Sequence, residues 1–186
     1  MRIRGVALGV TALVLTLLPA TAATAATAAT VATPIKGTIV TTIGNAAMGD
    51  DCDGGQMLTI VTNDAVHVST VSGLGRVRLV QVQCVVASTF QPGPVPVPAT
   101  GTIRVLSATL TAANGDELRF QTGEVPFATF EPPYPAAPLP IAFAGTMTFT
   151  GGTGRFAHAS GTAEFSGSYC FMLNAGMFTF SGRLTR

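Results

Sequence analysis

From Phe143 to Thr150 the chain alternates: Phe143, Gly145, Met147 and Phe149 stand at every second position, with Ala144, Thr146, Thr148 and Thr150 between them. Period two sends successive side chains to opposite faces of an extended backbone, so this segment reads as a strand with one apolar and one wetted face. The last segment repeats the pattern, with Phe178, Phe180 and Leu184 opposed to Thr179, Ser181 and Arg183. Earlier in the chain Val80, Val82, Cys84 and Val86 share one side, and Gln81 and Gln83 the other. If the apolar face turns inward, both glutamines belong in water.

Further strands are expected over 37–43, 56–62, 65–71, 102–112, 117–122 and 162–168. Asn114-Gly115 is the clearest hairpin signal, because both residues tolerate the positive φ of a type I′ turn and apolar runs flank them. No long segment carries the 3.6-residue period with caps, so little helix is expected. Roughly eight or nine strands, mostly sequential, suggest a barrel or a sandwich. Two proline-rich stretches, Pro92 to Pro98 and Pro126 to Pro140, read as connections, since proline donates nothing to a ladder. The second contains Phe127, Phe130 and Tyr134, which read as a plug for one barrel end or as part of a ligand lid.

The N-terminus reads as an export signal. Arg2 and Arg4 precede an apolar run from Gly5 to Leu18, and Ala20-Thr21-Ala22 offers a small-residue cleavage site that recurs twice by residue 28. The apolar run is shorter than the about 20 residues of a membrane span, so no stable span is expected after processing. The expected organisation is a signal peptide and cleavage region over 1–28, a flexible tail over 29–36 and one β-domain over 37–186. Removing the leader leaves eight basic against nine acidic residues, a net charge of −1. Such a balance argues against nucleic acid or anionic lipid as a partner.

An exported chain reaches an oxidising compartment, where cysteines pair. Cys52, Cys84 and Cys170 allow three pairings, of which Cys52 with Cys84 is preferred. It would close a loop of about 30 residues and stabilise by roughly 3–4 kcal/mol in the chain-entropy account. The leftover thiol, Cys170, lies between Tyr169 and Phe171 with no basic neighbour, and is expected to be buried rather than catalytic.

From Thr109 onward the chain reads TLTAANGDELRF, then TMTFTGGTGRFAHASGTAEFSGS, then MFTFSGRL. This resembles secreted bacterial proteins of the allene oxide cyclase and dirigent-like barrel group, a calycin-like architecture. The matching phrase is Gly151, Gly152, Thr153, Gly154, Arg155, Phe156, Ala159 and Gly161, and the likeness covers roughly the last 80 residues. Its physical sense is a tight strand-to-turn passage, with Phe156 folding back over the barrel end. The resemblance implies an all-β, antiparallel eight-stranded barrel with a lumen open at one end, assembled as a small homo-oligomer. It implies no catalytic residue here, because the plant relatives' polar motifs do not align to this chain.

Chemistry read directly from the residues is thin. Gly152 to Ala157 fits a loose G-x-G-x-x-A pattern, but no helix or βαβ unit follows, and Gly161 soon interrupts. His67 reads as an outward strand residue and His158 as a turn residue, and neither has metal-ligand spacing. Glu124 and Glu131 could rim an opening without a partner acid. Asp50, Asp51 and Asp53 read as a solvated turn rather than a calcium loop, since no glutamate closes the twelfth position. No metal or cofactor is expected. The favoured reading is a non-catalytic secreted barrel holding a small apolar ligand, with Phe127, Phe130, Tyr134, Phe143 and Met147 as candidate contacts. The alternatives are a cyclase-like or stereochemistry-directing protein of the same fold, and a cell-envelope interaction protein.

Overall fold

The computed structural model describes residues 31–48, 52, 54–64, 68–91, 97–129 and 140–186. Its strands are β1 (Thr33–Met48), β2 (Gln56–Thr62), β3 (Thr70–Val71), β4 (Gly75–Gln91), β5 (Val97–Ala112), β6 (Glu117–Thr122), β7 (Glu124–Thr129), β8 (Ile141–Gly152), β9 (Ser160–Cys170) and β10 (Ala175–Thr185). All ladders are antiparallel and follow chain order, and β1 returns to pair with β10. β2 and β3 share one position between β1 and β4, and β6 and β7 share another between β5 and β8. The result is a closed, eight-stave up-and-down barrel in which, among the described residues, every stave has a neighbour on both sides. Among the described residues helix is confined to short 3-10 turns such as Gly154–Phe156.

Each broken stave is mended by a hydroxyl. Where β2 stops short of β3, the buried Ser69 Oγ accepts from the Val40 amide at 3.0 Å, and the Ser69 carbonyl accepts from Val77 N at 3.0 Å. Where Gly123 separates β6 from β7, Thr122 Oγ1 accepts from Val105 N at 3.1 Å and donates to the Gly123 carbonyl. Buried backbone groups that lose a ladder partner must find another, and these side chains provide it.

Several expectations need correction. The strand expected over 65–71 reduces, among described residues, to Thr70–Val71, because Ser69 substitutes its side chain for a ladder rung. The expected tail over 29–36 loses residues 33–36 to β1, whose register with β10 begins at Thr33 opposite Leu184. Pro98 pairs with Phe90 inside the β4–β5 hairpin, so that proline stretch is not wholly a connection. Pro126 lies in β7 opposite Thr102; the β7–β8 ladder begins only at Phe127 with Phe143, so the missing N–H breaks no rung.

The inward faces form one core. Ile35, Ile39, Leu79, Leu110, Leu118, Met147, Phe149, Phe180 and Leu184 are all buried there. A recurring device shapes it: aromatic residues stand directly across from glycines, as in Phe180 with Gly37, Phe178 with Gly167, Tyr169 with Gly176 and Phe165 with Gly145. A Cβ on Gly37 would lie 2.6 Å from the Phe180 ring, and one on Gly176 2.3 Å from the Tyr169 ring. Each ring thus occupies the space a neighbouring side chain would have taken.

Candidate functional site

One end of the barrel is sealed by the glycine-rich phrase. After β8, Thr153 N donates to the Glu117 carbonyl and Thr153 Oγ1 accepts from Glu117 N, both at 3.0 Å, which ties the turn to β6. Gly154 has φ +54°, which favours glycine, and a Cβ there would sit 2.0 Å from Asp116 Oδ1 and displace that carboxylate. The turn drives Phe156 into the barrel end, where it is 0% exposed. The guanidinium groups of Arg155 and Arg186 lie 5.0 and 5.1 Å from its ring centre, and Arg155 also pairs with Asp116 at 3.1 Å. Gly151, Gly152 and Gly161 belong to the same closure, while His158 is exposed in the turn that follows.

Toward the other end the core opens into a cavity of about 60 Å³. One water needs roughly 10–15 Å³ on that measure, so the space holds several waters or part of a small molecule. One wall is aromatic: Phe143 lies 6.3 Å from Phe165, which lies 6.3 Å from Phe178, a row running from β8 across β9 to β10. Met147 and Ile141 continue that wall, and Leu58, Ile60, Val85 and Val105 form the opposite one. Of the sequence candidates, Phe143 and Met147 line the cavity. Phe127 is buried against Gly101 but does not line it, and Phe130 and Tyr134 lie outside the described residues.

Set into the aliphatic wall are Gln81 and Gln83, only 7% and 8% exposed. This reverses the orientation expected from the valines around them. Val77, Leu79 and Val85 are buried on the inward side, so 81 and 83 must face inward too, and Val80 is left 54% exposed. Cys84 faces outward and is buried through its disulfide with Cys52, whose Cα lies 5.3 Å from its own. The earlier alternation of Arg76 and Arg78 with Val77 and Leu79 carried the correct parity. Cross-strand neighbours of the glutamines are Ile60 and Leu58 on β2, and Ala108 and Val105 on β5. The Gln81 amide nitrogen donates to the Gln83 carbonyl oxygen.

The cavity rim is held by a network around Tyr169. Its hydroxyl donates to Asn174 Oδ1 and accepts from the Ile43 amide at 3.1 Å; the same amide also reaches Asn174 Oδ1 at 2.9 Å. Asn174 adopts φ +47° in the β9–β10 turn, a conformation asparagine tolerates better than most side chains. Burial raises the Tyr169 pKa above its ordinary value, the Ile43 amide opposes the shift and Cys170 adds to it. The phenol therefore stays protonated, with its proton committed to Asn174. Tyr169 is the one ionisable residue among the described cavity residues. Cys170 itself is a free thiol, half-buried rather than buried.

The remaining candidates do not converge. Glu124 is exposed on β7, whereas Glu131, His67 and Asp50, Asp51 and Asp53 lie outside the described residues. Among the described residues no three His, Cys, Asp or Glu side chains gather as a metal site would require, and no helix is long and apolar enough to cross a membrane. Compared with known proteins, the chain matches no family model, no curated protein and no solved structure.

Proposed function

We propose that this is a secreted, non-catalytic barrel protein, similar in kind to the dirigent-like barrels, that holds a small hydrophobic molecule in its lumen. The observation that carries the reading is the apolar cavity bounded by Phe143, Phe165, Phe178 and Met147. Apolar, enclosed space with a few polar groups is the usual make-up of a small-molecule site. Export is supported by the charged and apolar leader, and the Cys52–Cys84 bridge is compatible with an oxidising destination. The non-catalytic part rests on the lumen chemistry, where the phenol of Tyr169 is occupied structurally rather than poised to exchange a proton.

The test is mass spectrometry on the mature protein taken from its producer's own culture supernatant, under native and denaturing conditions. A retained small apolar compound, lost on denaturation and recovered unchanged after incubation with fresh protein, is the expected result. Conversion of that compound into an isomer would replace this reading with the cyclase-like one. A ligand-free mass, with no uptake of added apolar compounds, would overturn the binding reading and move the search to the barrel's outer surface.

A further inference from the structure

The geometry of the two lumen glutamines restricts what the cavity can take. Gln81 and Gln83 are both more than nine-tenths buried, two residues apart on the same face of β4. One hydrogen bond joins them, from the Gln81 amide nitrogen to the Gln83 carbonyl oxygen. Among the described residues the Gln81 carbonyl oxygen and the Gln83 amide nitrogen have no hydrogen-bond partner, and both residues line the cavity. Turning both amides over reverses the internal bond but leaves the same complement, one carbonyl oxygen and one NH2 group outside it. Around them the cross-strand neighbours Leu58, Ile60, Val105 and Ala108 offer only apolar atoms. No cationic side chain lines the cavity among the described residues.

We infer that Gln81 and Gln83 form a polar reading pair for a neutral ligand whose polar end both donates and accepts a hydrogen bond, such as a hydroxyl or a primary amide. This rests on the lumen-binding reading and narrows it. The ligand's apolar body lies against the Phe143, Phe165 and Phe178 row, and its polar end is directed at β4. An anionic head is disfavoured, because no positive charge compensates its desolvation in that wall. A pure hydrocarbon leaves both amide groups unmatched.

The test uses the mature, disulfide-bonded protein with three probes of one shape: benzyl alcohol, toluene and benzoate. Calorimetry gives their dissociation constants for the wild type and for Gln81→Leu/Gln83→Leu. Side-chain NH2 resonances of the ¹⁵N-labelled wild type report the amides directly. Benzyl alcohol is expected to shift the Gln81 and Gln83 resonances more than toluene does, and benzoate to bind most weakly. The double variant should move the preference between alcohol and hydrocarbon roughly tenfold or more toward toluene. If the probes bind in the lumen of both proteins and the preference does not move, the amides are satisfied by water and this inference falls, while the binding reading stands. Benzoate binding as tightly as benzyl alcohol would overturn the neutral-ligand class. If neither alcohol nor toluene enters the wild-type or variant lumen, both readings fail. The wild-type resonance shifts make the outcome independent of how the variant folds.

Discussion

At one end of the barrel Phe156 is wholly buried beneath Arg155 and Arg186; at the other, Tyr169 and Phe171 stand beside a cavity of about 60 Å³. Both ends are made by the same staves, so the difference lies in how each is finished. The sealed end is finished by a ring: a turn of a few residues drives Phe156 inward and is tied to the neighbouring hairpin through Thr153 and Asp116. The cavity end is finished by tethers around its rim: Tyr169 and Asn174 reach Ile43 across 126 and 131 residues, and Cys52 reaches Cys84 across 32. At the sealed end a side chain fills the barrel. At the other end tethers hold the rim and a cavity lies beneath it.

Four changes would break or sharpen that contrast. Phe156→Ala should have the largest effect, a loss of about 3–5 kcal/mol in urea unfolding, because it empties the sealed end. A loss below about 1 kcal/mol would mean the ring does not seal it. Replacing Cys52 and Cys84 together by serine should cost about 3–4 kcal/mol by the loop-closure account. If the tethers define the cavity end, the same variant should weaken probe binding in the lumen, which Phe156→Ala should affect less.

Tyr169→Phe comes next, at about 0.5–1.5 kcal/mol near neutral pH, because the bond to Asn174 is lost outright while the Ile43 amide keeps its second acceptor, Asn174 Oδ1. Its sharper signature is pH. Because the native pKa is raised, the unfolded chain loses the tyrosine proton first as pH climbs past about 10, so the stability from protonated Tyr169 is present below that pH and lost above it. Melting temperature from pH 8 to 11 should therefore fall less steeply in the variant; parallel curves would show that Tyr169 does not contribute. Smallest is Arg155→Ala, expected to cost no more than about 1 kcal/mol, since the residue is part-exposed and both its ion pair and its ring contact are weak at a surface. A cost that survives high salt would assign the effect to packing on Phe156 rather than to the Asp116 pair.

Much of the sealed end could be read before the structure. The glycine spacing, the position of Phe156 and the Asn114-Gly115 hairpin are short-range signals, and β6 falls on the expected 117–122, but Gly115 alone takes a positive φ there, so the turn is not the type I′ expected. Phe143 and Met147 were also legible as cavity residues, because the clean alternation of β8 has no competing pattern. The glutamines were misread because 80–86 holds apolar residues at alternate positions whose outward face is partly covered by a disulfide. β5 carries a bulge that no local pattern marks: Leu106 is an extra residue opposite the Val82–Gln83 step, which moves the inward set from Ile103 and Val105 to Ala108, Leu110 and Ala112.

The sequence by itself determined that the chain is all-β, where most strands run, which turn closes one end and which cysteine pairing to prefer. Only the tertiary structure decided which face of β4 looks inward, where Ser69 and Thr122 replace missing rungs, and that Tyr169 is anchored to β1. Period two states that two faces differ, but a face becomes the inside only when neighbouring staves close around it. That closure is set by pairings between residues far apart in the chain, which no local pattern encodes.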